Sequence, residues 1–181
     1  MAVIPLILGV TVVTAEDDFE ALGARAGNAL LIRSFDTSQL AGDSPNLSYD
    51  LRIGSEYKDH RDSGIEKIPE KGRITLLPGS AVTIETEGSL HVPGTMFGYI
   101  VPRVKWLQQG ISNTLSKVDA GYHGHLLITI FNLGRNTIEF PRGERFCSLV
   151  VHSVSGGVQL YEGGEKRLLG PVALLQIGNW N

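Results

Sequence analysis

Cysteine is nearly absent from this chain, since Cys147 is the only one among 181 residues. An intramolecular disulfide is therefore excluded, and a zinc site could not be rich in cysteine. The zinc-dependent base deaminases carry HxE and CxxC motifs, and neither motif occurs here. The composition thus excludes disulfide scaffolds and that class of zinc enzyme.

Positive charge is also scarce, with 16 Lys and Arg against 19 Asp and Glu and a formal net charge of −3. A nucleic-acid polymer is bound through a basic face, so neither DNA nor RNA is an expected partner. A small phosphorylated ligand stays compatible with this composition, because a few local cations and backbone N–H groups are enough to hold it.

Long apolar runs are missing, and none approaches the ~20 residues that a membrane helix needs. The first segment, MAVIPLILGVTVVTA, has about the apolar length of a signal-peptide core. It lacks a positively charged start, however, and Pro5 with the neighbouring Val and Thr residues favours a strand. We therefore expect a cytoplasmic protein that does not enter the membrane.

The residues that are abundant point to short strands and tight turns, with 22 Gly and 8 Pro scattered along the chain. From Arg73 onward, strand-like runs alternate with turn signals every roughly 8–12 residues, which is typical of a β-sandwich or barrel. Two short helices are predicted, at 15–27 and within 103–110. Residues 58–72 are charged and predict an exposed loop.

These patterns divide the chain into three parts. Residues 1–45 form an N-terminal strand and helix extension, 46–154 a β-barrel and 155–181 a C-terminal arm. The arm contains six glycines, which is typical of a segment that becomes ordered on binding.

The stretch VDAGYHG (118–124) predicts a tight hairpin with Ala120 and Gly121 in its turn. Such a turn displays Asp119 and Tyr122 together. A carboxylate accepts hydrogen bonds from a hydroxyl or a water, and an aromatic ring packs on a flat partner. Taken alone, the stretch also fits a surface turn in which Asp119 makes only a local hydrogen bond.

This stretch resembles the third motif of trimeric dUTPases and the matching motif of dCTP deaminases. The resemblance implies that Asp119 holds the deoxyribose 3′-hydroxyl and orients the attacking water as the catalytic residue. It implies that Tyr122 packs against the sugar and excludes ribonucleotides, and that Asn113 reads the base. Three further segments resemble family motifs in the same order: SYDLRIG (48–54), LPGSAVTIET (77–86) and RGERFCSLVV (142–151).

The resemblance implies an all-β fold, a dUTPase-like distorted, jelly-roll-like β-barrel with one short N-terminal and one short internal helix. It also implies a homotrimer with sites built from neighbouring subunits, and Mg²⁺ held through the substrate phosphates without a protein metal site. The remaining substrate-binding residues expected from it are Asp50, Arg103, Lys105, Gly110 and Ser148. Val104 replaces the hydroxyl residue of the second motif, and Ser148 replaces the fourth-motif Gln of dUTPases.

Three functions follow from these matches and losses. The first is hydrolysis of dUTP to dUMP and pyrophosphate. The second is deamination of dCTP, for which the Glu that the family places in the following strand is replaced by Thr129. The third is a nucleotide-binding or sensor module without activity. In each case the expected partner is a small pyrimidine deoxynucleotide.

Overall fold

Strands dominate the computed structural model, which describes residues 3–6, 10–13, 30–40, 48–62 and 64–163. The helical segments of these residues are a 3-10 turn, Thr37–Gln39, and one α-helix, α1 (Val104–Leu107). The strands are β1 (Val3–Leu6), β2 (Val10–Val13), β3 (Leu30–Ile32), β4 (Tyr49–Asp59), β5 (Glu66–Lys67), β6 (Arg73–Leu76), β7 (Ala81–Thr86), β8 (Leu90–His91), β9 (Met96–Pro102), β10 (Ile111–Asn113), β11 (Lys117–Val118), β12 (His123–Gly124), β13 (Leu127–Asn132), β14 (Ile138–Pro141) and β15 (Arg145–Ser153).

The described strands form three sheets. The largest has the order β10-β13-β7-β4-β15-β9-β11, with β5 added to β4, and it curls into a half-barrel. A second sheet has the order β1-β2-β3-β8-β12, and β14 pairs with β6. The pairs are antiparallel except for β2 with β3. The two larger sheets both receive strands from the segment 111–124, which places this segment where they meet.

The core lies inside the half-barrel and consists mainly of Ile, Leu and Val side chains. Along β13 burial alternates, so that Ile128 and Ile130 face the core while Thr129 between them is half-buried. This period of two follows from the strand geometry, in which successive side chains point to opposite faces. Each fully buried Ile or Leu contributes about 1.5–3 kcal/mol relative to an exposed one.

The predicted all-β, dUTPase-like fold is confirmed, as is the internal helix, although α1 is shorter than the predicted 103–110. The predicted N-terminal helix at 15–27 and the turn-rich residues 41–47 lie outside the described residues. The expectation of a strand near Pro5 is confirmed by β1. As described, β1 is the outermost strand of its sheet, a position at which proline is tolerated.

The predicted loop at 58–72 is wrong in part. Strand β4 runs on to Asp59, and β5 pairs with it in antiparallel register. Ile68 is only 3% exposed, and its N–H donates to the Ser55 carbonyl at 2.7 Å. A single apolar side chain among charged ones gives no periodic signal, so its burial depends on the tertiary contact alone.

No helix in the part of the chain that the structure describes is long and apolar enough to cross a membrane.

Candidate functional site

A buried carboxylate, Asp50 on β4, organises the first group of predicted site residues. The Ser148 hydroxyl on β15 donates to Asp50 Oδ1 at 2.6 Å, because the two residues are direct partners across the strands. Arg103 Nε lies 3.3 Å and Arg145 Nη1 3.7 Å from Asp50 Oδ2. Asp50 and Ser148 therefore bond to each other, and Asp50 holds two guanidinium groups beside them.

The neighbouring Cys147 is fully buried, which raises the pKa of its thiol well above the ordinary value. A thiol with a raised pKa stays protonated at neutral pH and is a poor nucleophile. This excludes Cys147 as a catalytic group.

Helix α1 begins directly after Arg103 and carries Lys105. The Arg103 guanidinium and the Trp106 indole N–H both donate to the Arg145 carbonyl, at 3.2 and 2.9 Å. The buried Trp106 thereby fixes α1 against β15. Lys105 Nζ lies 3.1 Å from Glu144 Oε1 and 4.4 Å from the Trp106 ring centroid, so Lys105 is held by two contacts at the protein surface.

Gly110 connects α1 to β10 through a tight backbone contact. Its φ is +82°, and a β-carbon there would lie 2.7 Å from the Gly134 Cα. The Leu133 N–H donates to the Gly110 carbonyl at 2.8 Å. Glycine is required at this position both by the left-handed backbone and by the close approach of the second chain segment.

Asn113 ends β10 and is buried, with 6% of the residue exposed. Among the described residues, its side-chain Nδ2 and Oδ1 are buried and have no hydrogen-bond partner. Each unpartnered buried polar group costs about 1–3 kcal/mol, and folded proteins rarely retain one without a reason. The neighbouring buried amide Asn132, by contrast, bonds to the Leu76 and Asn136 carbonyls at 2.9 and 2.8 Å.

The predicted hairpin at 118–124 is only half right. The turn is present, since the Tyr122 N–H donates to the Asp119 carbonyl at 3.1 Å. Its arms, however, pair with other strands, β11 with β9 and β12 with β8. The arms diverge because each completes the edge of a different sheet.

Asp119 and Tyr122 lie on the turn of this segment. The Asp119 side chain is 42% exposed, and its Oδ1 is 2.5 Å from Lys117 Nζ, a hydrogen bond that raises the pKa of Lys117. Tyr122 is buried, and its hydroxyl donates to the His125 carbonyl. Water can therefore reach the Asp119 carboxylate, while the Tyr122 ring is fixed in place.

The two groups of predicted residues are separated within one chain. Val118 lies opposite Gly98 on β9. Arg103 follows Gly98 by five residues, which corresponds to about 17 Å between these two residues at strand geometry. The structure therefore brings Asp50, Arg103 and Ser148 together, and it places Asp119 and Tyr122 on one turn, with Asn113 at the end of β10 earlier in the same segment.

Two features were not found from the sequence. Arg145 joins the Asp50 group, and the only available signal was its position in the RGERFC segment. The Thr129 hydroxyl lies 2.7 Å from the Thr83 hydroxyl, which in turn lies 2.8 Å from His60 Nε2. His60 and Thr83 are 23 residues apart, so no sequence spacing indicates this chain of contacts.

Two histidines face each other across the second sheet, since His123 is the direct partner of His91. Burial and, next, the charge of His123 lower the pKa of His91. His125 Nδ1, two residues after His123, contacts the Thr86 carbonyl at 2.9 Å. Across the described residues, no group of three or more His, Cys, Asp or Glu side chains could hold a metal ion.

The lowered pKa of His91 predicts that the stability of the fold depends on pH. Because the pKa of His91 is lower in the folded chain than its unfolded value of about 6.5, the unfolded chain binds more protons below that pH. We expect the urea midpoint to fall as the pH is lowered from 7 to 5, and His91→Gln to weaken this dependence. An equally steep dependence in the variant would contradict the assignment.

The half-barrel is the fold of the dUTPase and dCTP deaminase superfamily. A family model described as dCTP deaminase-like matches residues 18–154, which is most of the chain. The chain therefore belongs to the dCTP deaminase-like family.

Individual relatives carry both family activities in their names. A dCTP deaminase of Pyrobaculum arsenaticum is 30% identical over 130 residues, covering 63% of this chain and 74% of the relative. A dCTP deaminase of Thermococcus kodakarensis is 26% identical over 108 residues, covering 60% and 68%. A deoxyuridine 5′-triphosphate nucleotidohydrolase of Caldanaerobacter subterraneus is 32% identical over 87 residues, covering 46% and 59%.

Solved structures share the fold at lower identity. The 2′-deoxycytidine 5′-triphosphate deaminase of Agrobacterium tumefaciens has a TM-score of 0.56 and 22% identity, over 72% of this chain and 44% of that one. A mutant dUTPase from phage phi11 of S. aureus, described as coordinating a structural Mg(II) ion, has a TM-score of 0.53 and 17% identity, over 77% and 100%. The match thus spans less than half of the Agrobacterium chain.

Proposed function

We propose that this protein binds a pyrimidine deoxynucleotide and hydrolyses dUTP to dUMP and pyrophosphate. The observation that carries the proposal is the Asn113 amide at the end of β10, which is buried and has no hydrogen-bond partner among the described residues. An amide has donors and an acceptor, and the O4 and N3–H edge of uracil offers the complementary pair. A base bound against Asn113 would satisfy both groups.

The sugar is read by the turn in this proposal. Asp119 accepts a hydrogen bond from the 3′-hydroxyl, and the fixed Tyr122 ring occupies the space that a ribose 2′-hydroxyl needs. The ring is buried and its hydroxyl is bonded to the His125 carbonyl, so it cannot easily make room for an added oxygen. Deoxyribose is therefore preferred over ribose.

The phosphates are bound by the second group, with Arg103, Arg145 and Lys105 as its cations. Asp50 and Ser148 are buried and bonded to each other, so these two side chains act through Arg103 and Arg145. Since this group lies about 17 Å along β9 from the turn, the proposal places the two groups of one site on neighbouring copies of the chain, as in a homotrimer. The molecular mass of the assembly in solution checks this.

Catalysis in this proposal is attack of a water on the α-phosphorus. The new P–O bond forms to the water oxygen, the bond to the bridging oxygen breaks, and pyrophosphate leaves. Asp119 orients the water and accepts its proton, which its 42% exposed side chain permits. Mg²⁺ carried by the triphosphate would offset negative charge on the phosphates.

Asp119→Asn tests the hydrolysis. The amide keeps the shape of the side chain and can still meet the sugar hydroxyl, but it cannot accept a proton from water. We expect kcat for pyrophosphate release from dUTP to fall at least about a hundredfold, with a smaller change in nucleotide affinity. Lys117→Met is the matched control, since it removes only the ion-pair partner of Asp119. Wild-type turnover by the Asp119 variant would refute the mechanism.

Deamination of dCTP is the second candidate, supported by the family model and by most of the named relatives. It requires water to add at C4 of cytosine and ammonia to leave, with a group that moves protons between them. By the resemblance, Thr129 occupies the position of the family Glu. Its hydroxyl contacts the Thr83 hydroxyl, which contacts His60 Nε2, so two hydroxyls link this position to an imidazole. Ammonia release from dCTP, abolished in His60→Ala, would favour this activity over hydrolysis.

A binding module without activity is the third outcome. It would be identified by calorimetric binding of dUTP or dUMP with release of neither pyrophosphate nor ammonia. Thermal stabilisation by a panel of deoxynucleotides tests recognition independently of turnover, because a ligand of the native state raises its stability. If no pyrimidine deoxynucleotide raises the Tm, the binding proposal itself fails.

A further inference from the structure

The chain that follows β15 returns to the turn that carries Asp119 and Tyr122. We call residues 154–163 the C-terminal strap. Its first N–H, that of Val154, donates to the Thr95 carbonyl at 2.8 Å, and the N–H of Tyr161 donates to the Ala120 carbonyl at 2.8 Å. The strap is therefore tied at both ends to the loops that frame the turn of its own chain.

Two glycines shape the surface on which the strap lies. A β-carbon at Gly121 would lie 3.1 Å from Leu160 Cβ and 3.2 Å from the Tyr161 nitrogen, and one at Gly94 would lie 2.9 Å from Leu160 Cδ2. Gly121 also has a φ of +81°. Because side chains are absent at both positions, the strap backbone can approach the turn closely enough for the Tyr161 hydrogen bond.

This approach brings two tyrosine rings together. The ring centroids of Tyr122 and Tyr161 are 5.4 Å apart with an interplanar angle of 51°. This is within the range of favourable aromatic pairs. Tyr122 is thus held at its hydroxyl by the His125 carbonyl and at its ring by Tyr161.

We propose that Tyr161 is a positioning residue that fixes the Tyr122 ring and thereby sets the preference for deoxyribose over ribose. The inference rests on the proposed function, in which the Tyr122 ring occupies the space of a 2′-hydroxyl. A ring that can shift accommodates the extra oxygen, whereas a ring packed against Tyr161 does not. The strap of the same chain is then a determinant of sugar specificity.

The test compares the dissociation constants of dUTP and UTP in the presence of Mg²⁺ for three proteins. Wild type is expected to bind dUTP more tightly than UTP. Tyr161→Ala should lower this preference roughly three- to tenfold, the range that one aromatic pair corresponds to. Tyr161→Phe should restore the wild-type ratio, because it keeps the ring that contacts Tyr122.

Controls separate positioning from a general loss of structure. Val158→Ala trims another side chain of the same strap and should leave the ratio unchanged. Tyr161→Leu keeps an apolar side chain without a ring and should lower the ratio as Tyr161→Ala does. It tests the inference also in the case that the alanine variant unfolds at low temperature. Thermal unfolding of each variant is measured alongside.

The outcomes distinguish this inference from the function beneath it. If wild type does not prefer dUTP to UTP, the proposed reading of the sugar fails and this inference fails with it. If wild type shows the preference and both Tyr161→Ala and Tyr161→Leu keep the same ratio, the role of Tyr161 alone is overturned, whatever their overall affinity.

Discussion

Replacing Asn113 with valine is expected to stabilise the protein and to abolish nucleotide binding. The substitution removes two buried polar atoms that have no hydrogen-bond partner in the described structure and inserts a residue that favours strands. We expect the free energy of unfolding to rise by about 1–2 kcal/mol, since the desolvation cost of the amide disappears. Denaturant unfolding without ligand measures this change.

Nucleotide affinity should move in the opposite direction. A base placed against valine leaves its own donor and acceptor buried and unpartnered, so we expect the affinity for dUTP to fall about a thousandfold. Titration calorimetry measures it. A variant that gains stability and keeps its affinity would separate Asn113 from base recognition. A variant that loses stability would show that the amide has a structural partner.

Asn132→Val is the matched control for this experiment. Asn132 is also buried on the same pair of strands, but its side chain bonds to the Leu76 and Asn136 carbonyls and accepts from the Gly134 N–H at 3.0 Å. Its replacement leaves these backbone groups without partners, and we expect a loss of about 3 kcal/mol. Two substitutions of the same kind should therefore change stability with opposite signs.

Asp50→Ala is expected to cause the second large effect, a loss of about 3 kcal/mol in the free energy of unfolding. The side chain is only 3% exposed and faces Arg103, Arg145 and the Ser148 hydroxyl. Removing one partner of a buried ion pair typically costs about 3–5 kcal/mol. The lower end applies because the Arg103 and Arg145 side chains are 27% and 39% exposed and keep part of their hydration.

The same variant should weaken triphosphate binding more than binding of the nucleoside, because the guanidinium groups lose their common anchor. Glu139→Ala is the control, since its ion pair with Arg73 at 2.6 Å is exposed on both sides. Such surface pairs contribute about 1 kcal/mol or less. If Asp50→Ala unfolds at the same denaturant concentration as Glu139→Ala, Asp50 does not anchor the site.

Much of the fold was predictable because its signals are local. Alternating burial, as along β13, and Gly or Pro at turns were sufficient to predict most of the strands after Arg73. The short helix α1 was also predicted. The pairing of β5 with β4 was missed, since two exposed strand residues and one buried Ile68 form no periodic pattern.

The arrangement of the predicted site residues could not be predicted from the sequence. Asn113, Asp119 and Tyr122 were expected together from the motif, and they lie on one segment. The divergence of the two arms of the turn was not expected, because it arises from the pairing of β11 with β9 and of β12 with β8. Arg145 likewise joins Asp50 only through the register of β15 on β4.

The sequence by itself determined the all-β class, the turn that carries Asp119 and Tyr122, and the residue types that suit a base and a sugar. These properties depend on local backbone preference and on side-chain chemistry. Only the tertiary structure decided that Asn113 is buried without a partner, that Asp50 and Ser148 bond to each other, and that Tyr161 packs on Tyr122. Each of these depends on strands or loops distant in sequence, whose register is set by burial of the whole core.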